Sequence, residues 1–189
     1  ICEKFVERSR CHATDGFIVY DIQDEASRTN EARPFPFRRT MDPSEFAQLF
    51  PPLSGKSTVL YKAVSEPTEQ DFDAWLDMAA GAHGHRTLNL VGPASSSDRG
   101  HIKLDQAAER LAARPEGLAF GGVTIAERHL SKGTEHLNIL RKQKLGAQWF
   151  ISQAVYDALR GDEEIVRLRR AGTIRSTQYA RGNDHTTLG

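Results

Sequence analysis

Five short apolar runs spaced along the chain constrain its fold more than any other feature. They are GFIVYDI (Gly16 to Ile22), STVLYKAV (Ser57 to Val64), RTLNLVG (Arg86 to Gly92), GLAFGGVTI (Gly117 to Ile125) and AQWFISQAV (Ala147 to Val155). Each has strand length and is rich in Val, Ile, Leu and aromatic residues. Most of the intervals are about thirty residues, too long for hairpins and long enough for a crossover helix. Near-continuous apolar character means that both faces of each strand are covered. The pattern is therefore one of repeated βαβ units and a parallel sheet.

The intervening segments carry helix signals. Asp42, Pro43 and Glu45 supply an N-cap, a first-turn proline and a capping glutamate, and Thr68 to Asp71 forms a second capping box. Apolar residues at helical spacing follow over Asp71 to Ala80 (Phe72, Trp75, Leu76, Ala79) and over Ile102 to Ala113. Such a chain can form an open doubly wound sheet or a closed barrel. After the first strand the sequence reads DIQDEASRTN and not G-x-G-x-x-G, which argues against a dinucleotide site of the Rossmann type. Polar residues instead collect at the carboxyl ends of several strands: Tyr20, Asp21 and Gln23, then Lys62, Asn89, the group Thr124, Glu127 and His129, and finally Gln153. In a parallel barrel those ends share one face and build the active site.

Composition excludes several function classes. Acidic and basic residues balance to a formal net charge of zero, so the broad basic face of a nucleic-acid binder is not expected. The cluster Arg167, Arg169, Arg170 and Arg175 is explained at least as well by an exposed helix end. No apolar run approaches membrane-spanning length. Cys2 and Cys11 show no metal spacing and no disulfide framework, which fits a reducing cytoplasm. His83 and His85 form an H-x-H pair before a strand with no third ligand beside them, so no metal site is expected. The long loop 21–40 alternates Arg28, Arg33, Arg38 and Arg39 with Pro34, Phe35, Pro36 and Phe37. A proline-stiffened surface arm and a lid near a ligand remain equal readings of it.

Gln153 ends an apolar strand after Trp149, Phe150 and Ile151. An amide in that place meets either a polar partner in the protein or a ligand. On the preceding helix, Glu135, Asn138 and Lys142 fall at i, i+3 and i+7 on one stripe, with Arg141 on its flank. One helix could thus offer hydroxyl partners and phosphate-binding cations together. A solvated charged face is the plain alternative.

The blocks GGVTIAERH, EHLN and RKQKLGAQWFISQAVYD resemble the middle of the methylenetetrahydrofolate reductase family, from about Asp15 to Asp157. The resemblance implies a flavin-containing parallel (β/α)8 TIM-type barrel, here lacking its first and last strands, as a single domain over residues 1–189 with a polar tail at 172–189. It implies FAD or FMN as cofactor, NAD(P)H as co-substrate and folate as substrate. Hydride would pass through the flavin to 5,10-methylenetetrahydrofolate to give 5-methyltetrahydrofolate. By the same resemblance Gln153 contacts the folate, with Tyr20 and Asp21 helping to position it. Glu135, Asn138, Arg141, Lys142, His129 and Gly92 lie where the family binds flavin. A homo-oligomer is left open.

The chain also departs from that pattern. Pro93 stands where the family has an aspartate near the flavin, and Asp98 is the nearest acidic residue that follows. No strand before Ile1 carries the glutamate that serves as acid, and the segment after Asp157 reads as one short helix (about Asp162 to Ala171) and a polar run. These departures are expected either from an incomplete record of a full barrel, the favoured reading along with edges covered by another chain, or from a reduced homologue completed by a partner. They also support the alternative function, a non-redox folate or one-carbon binding protein, or a structural partner subunit, that has lost flavin chemistry.

Overall fold

Each apolar run becomes a strand, and each strand lies beside the one that precedes it in sequence. The computed structural model describes residues 1–22, 35–92, 102–125 and 133–152. Within them β1 (Gly16–Tyr20), β2 (Ser57–Ala63), β3 (Thr87–Val91), β4 (Ala119–Thr124) and β5 (Phe150–Ser152) form one sheet of order β1-β2-β3-β4-β5, with every pairing parallel. A doubly wound sheet reverses its strand order at a switch point, and this one does not. Crossovers between parallel strands are right-handed almost without exception, so a sequential order carries every helix to the same side and curls the sheet. The result is a five-stranded curled half-barrel. The closed eight-stranded barrel expected from the sequence is not formed by the described residues.

Among the described residues the helices are α1 (Cys2–Ser9), α2 (Pro43–Ala47), α3 (Phe50–Ser54), α4 (Glu69–Leu76), α5 (Leu104–Ala112) and α6 (Glu135–Lys144). Two begin at the caps expected from the sequence. The Asp42 side chain accepts the Ser44 amide at 2.8 Å, and Thr68 Oγ1 accepts the Asp71 amide at 3.2 Å. α4 runs on as a π-turn over Asp77–Ala82, and α1 carries no clear start signal in the sequence. Gly146, with φ of 101°, turns the chain from α6 into β5 in a conformation that side chains disfavour. The edge pairing begins before β5 itself, since Gln148 N donates to Phe120 O at 2.9 Å and Gly122 N to Trp149 O at 3.0 Å.

Strand parity divides the residues between two faces. On the outer face Val19, Leu60, Leu88, Leu90 and Phe120 pack with Phe50, Phe72, Leu76, Leu111 and the alanines of α5 into one buried core. Each such leucine or phenylalanine stabilises the fold by roughly 1.5–3 kcal/mol. α4 is tied to α5 at the surface, where Arg110 bridges Glu69 and Asp73, and Gln106 Nε2 donates to Glu69 at 2.7 Å. The inner face carries the opposite set, in register across the sheet: Tyr61 beside Asn89, and Asn89 beside Gly121.

Gly121 is required by packing. A Cβ built on it would overlap the indole of Trp149, which stands directly on the glycine backbone. Gly121→Ala should therefore destabilise the protein by about 1–3 kcal/mol through overpacking. Combining it with Trp149→Leu should recover most of that loss in a double-mutant cycle measured by urea unfolding.

Candidate ligand-binding face

The carboxyl ends of parallel strands converge on one rim, where side chains from separate strands meet. At β1 and β2 the two faces of that rim have different chemistry. On the inner face the rings of Tyr20 and Tyr61 lie 4.5 Å apart with planes 37° from parallel. Tyr20 is about half exposed, at 52 %, so a planar surface remains open beside the pair. Next in register comes Asn89, with 0 % exposure. Among the described residues neither its Nδ2 nor its Oδ1 has a hydrogen-bond partner. Beyond it the Trp149 indole covers Gly121.

The outer side of the same rim is an ion network. Lys62 projects toward the helices, where its Nζ lies 3.2 Å from Asp21 Oδ2 and 2.7 Å from Glu66 Oε1, and 4.9 Å from the centroid of the Trp75 ring. The three charged side chains are between 8 % and 12 % exposed. Trp75 Nε1 in turn donates to Asp42 Oδ2 at 3.1 Å. Burial pushes the Asp42 carboxyl up, but donation from the Ser44 hydroxyl and amide and from the Trp75 indole, with the charge of Lys62, outweighs it and holds the group below its ordinary value.

His83 and His85 belong to the same staple. His85 Nε2 donates to Ser44 O at 2.9 Å, and His83 Nδ1 lies 3.2 Å from Ser44 Oγ, whose proton goes to Asp42. Both histidines thus fasten the π-turn to the start of α2. Among the described residues no three His, Cys, Asp or Glu side chains gather as a metal site, and no helix is long and apolar enough to cross a membrane.

The site residues expected from the sequence separate in space. Tyr20 faces inward, whereas Asp21 turns outward to Lys62. The helical stripe on α6 meets β4 and α5. Glu135 is buried, with Oε1 accepting the Ile125 amide and Oε2 accepting Asn138 Nδ2, both at 3.1 Å. Lys142 Nζ donates to the Val123 carbonyl, its stem crossing Gly122. Arg141 pairs with Asp105 of α5. These contacts explain the stripe as the fastening of α6 to its strand. Gly92 follows β3 with open space about the position of a Cβ. Gln153 and His129, like Gln23, Glu127, Pro93, Asp98 and the arginines after residue 153, lie outside the described residues, as do positions 23–34 of the loop 21–40 and the tail 172–189. Tyr61 and Trp149 were not singled out as site residues in the sequence. Their strand parity was the available signal, since Tyr61 shares a face with Asn89.

No protein-family model matches the chain, and no curated protein matches it in sequence. Solved structures do. An uncharacterized protein from Clostridium thermocellum matches with a TM-score of 0.72 and 25 % identity over 90 % of this chain. That neighbour binds 5-methyl-5,6,7,8-tetrahydrofolic acid, in two copies. This chain spans 53 % of the neighbour's length. Membership of the methylenetetrahydrofolate reductase family is not shown by these matches. What they share with the sequence expectation is a fold that, in the neighbour, binds a reduced folate.

Two outcomes follow from the buried charges. Lys62→Met leaves two buried carboxylates uncompensated and should cost about 3–5 kcal/mol in urea unfolding. Burial holds the His85 pKa below its ordinary 6.5, against the opposing hydrogen bond to Ser44 O and with help from the charges of His83 and Arg86. The unfolded chain therefore takes up this proton first. Stability conferred by neutral His85 is fully present above pH 6.5 and should be lost as pH falls through the depressed folded value. His85→Gln, which can still donate to Ser44 O, should flatten that part of the melting-temperature profile between pH 7 and 5.

Proposed function

We propose that this chain binds a reduced folate of the 5-methyltetrahydrofolate class on the inner face of its half-barrel, at the carboxyl ends of the strands. The observation that carries the reading is the folate-binding neighbour of the same fold. The inner face supports it chemically. A pterin is planar, polar along one edge and apolar on its faces. Tyr20 and Tyr61 offer an aromatic surface at the rim, worth about 0.5–1.5 kcal/mol for a stacked ring. Gln153, the residue after β5, is assigned to the pterin edge by the sequence resemblance.

Folate binding without flavin is the form of this reading that the contacts favour. Glu135, Asn138, Arg141 and Lys142, assigned to the flavin by the resemblance, make hydrogen bonds or ion pairs within the fold. The reductase reading would have this chain take up FAD or FMN, accept hydride from NAD(P)H and reduce 5,10-methylenetetrahydrofolate. One set of measurements separates the two. Titration with 5-methyltetrahydrofolate should give saturable binding by calorimetry, with Tyr20→Ala weakening it about three- to tenfold. Incubation with FAD or FMN should leave no flavin band near roughly 450 nm after gel filtration. A retained flavin that NADPH or NADH bleaches would establish the reductase reading instead, and failure to bind the folate at all would overturn both.

A further inference from the structure

Asn89 lies in the middle of the central strand with a side chain that fills space but makes no hydrogen bond among the described residues. It is completely buried, and among the described residues both atoms of its carboxamide are without a hydrogen-bond partner. A buried donor or acceptor left unmade costs about 1–3 kcal/mol, and an apolar residue of comparable size such as valine would carry no such cost. The neighbouring strand positions on the same face are apolar or aromatic in character: Tyr61 on β2, and on β4 Gly121 with Trp149 over it. The amide therefore sits between a tyrosine and an indole, in register with Tyr61 and Tyr20, with its polar atoms unspent among the described residues.

We infer that Asn89 is the polar anchor of the ligand site and sets its specificity by pairing with the lactam edge of the pterin ring. This rests on the folate reading and names the group that would recognise the ligand. The chemistry matches in shape and count. The 4-oxo pterin presents an N–H donor and a C=O acceptor side by side, and a carboxamide presents the complementary pair, so two hydrogen bonds close one ring. Both of the unmade bonds at Asn89 are satisfied in that arrangement. A site built to pair polar atoms rejects analogues that lack them far more strongly than an apolar pocket does. The Trp149 indole beside it would then mark the depth to which the ring enters.

The test uses the full chain and a matched ligand pair, tetrahydrofolate and its 4-deoxy counterpart, which lacks both the lactam carbonyl and the ring N–H. Asn89→Val should weaken tetrahydrofolate at least about tenfold, because the two hydrogen bonds of the lactam lose their partner. It should weaken the 4-deoxy ligand far less, so that the wild-type preference for tetrahydrofolate falls. A purely structural residue would not move that ratio. Equal tetrahydrofolate affinity in wild type and Asn89→Val would overturn the assignment and leave the amide to a buried water. A variant that loses thermal stability and weakens both ligands alike would overturn it too. Wild-type protein that binds neither ligand would overturn the folate reading itself, an outcome distinct from these.

Discussion

Parallel strands cannot be joined by a tight turn, and the rest of this molecule depends on how that constraint is met. Each connection carries a helix back across the sheet, and because the strands follow one another in order, every crossover steps the same way. The helices accumulate on one side, where the outer-face leucines, phenylalanines and valine meet them. The other side is left to Tyr20, Tyr61, Asn89 and the Trp149 indole. A sheet with helices on both faces would have covered the half-exposed Tyr20 ring with a second layer.

The rim of the sheet shows how closely two kinds of chemistry can be set without interfering. Lys62 and Tyr61 are adjacent in sequence and point to opposite faces. Lys62 is held by Asp21, Glu66 and the Trp75 ring, so its charge is neutralised on the helix side. Asp42 links the same group to α2 and, through Ser44, to His83 and His85. This network fastens β1, β2, α2 and α4 together at the carboxyl ends of the strands. The inner face can then remain uncharged at β1 to β3, which suits a neutral heterocycle better than an anion. α6 adds a comparable fastening at β4, where the Glu135 carboxylate terminates the strand by accepting the Ile125 amide.

Much of the fold was legible in the chain. The five strands stand where the apolar runs are, and Asp42 and Thr68 cap the helices that their spacing signals. α1 was not legible because its only buried residue is Val6 and its packing depends on Phe5 meeting Phe17 and Phe50 from distant positions. The candidate site was less legible. Glu135, Asn138 and Lys142 form a helical stripe in any reading, but a stripe of polar residues looks the same whether it faces a ligand or the carbonyl of a neighbouring strand.

What the sequence by itself determined is the alternation of strands and helices, the parallel pairing that their spacing demands, and the set of polar residues at the carboxyl ends of the strands. Those follow from local periodicity and chain length. Only the tertiary structure decided which of those residues turn inward. Strand parity places Tyr61 and Asn89 on one face and Lys62 on the other, yet in a strand apolar on both sides nothing local says which face the helices cover. That choice belongs to the handedness of the crossovers, a property of the whole sheet, and among the described residues it leaves Asn89 rather than Lys62 with an unanswered hydrogen bond.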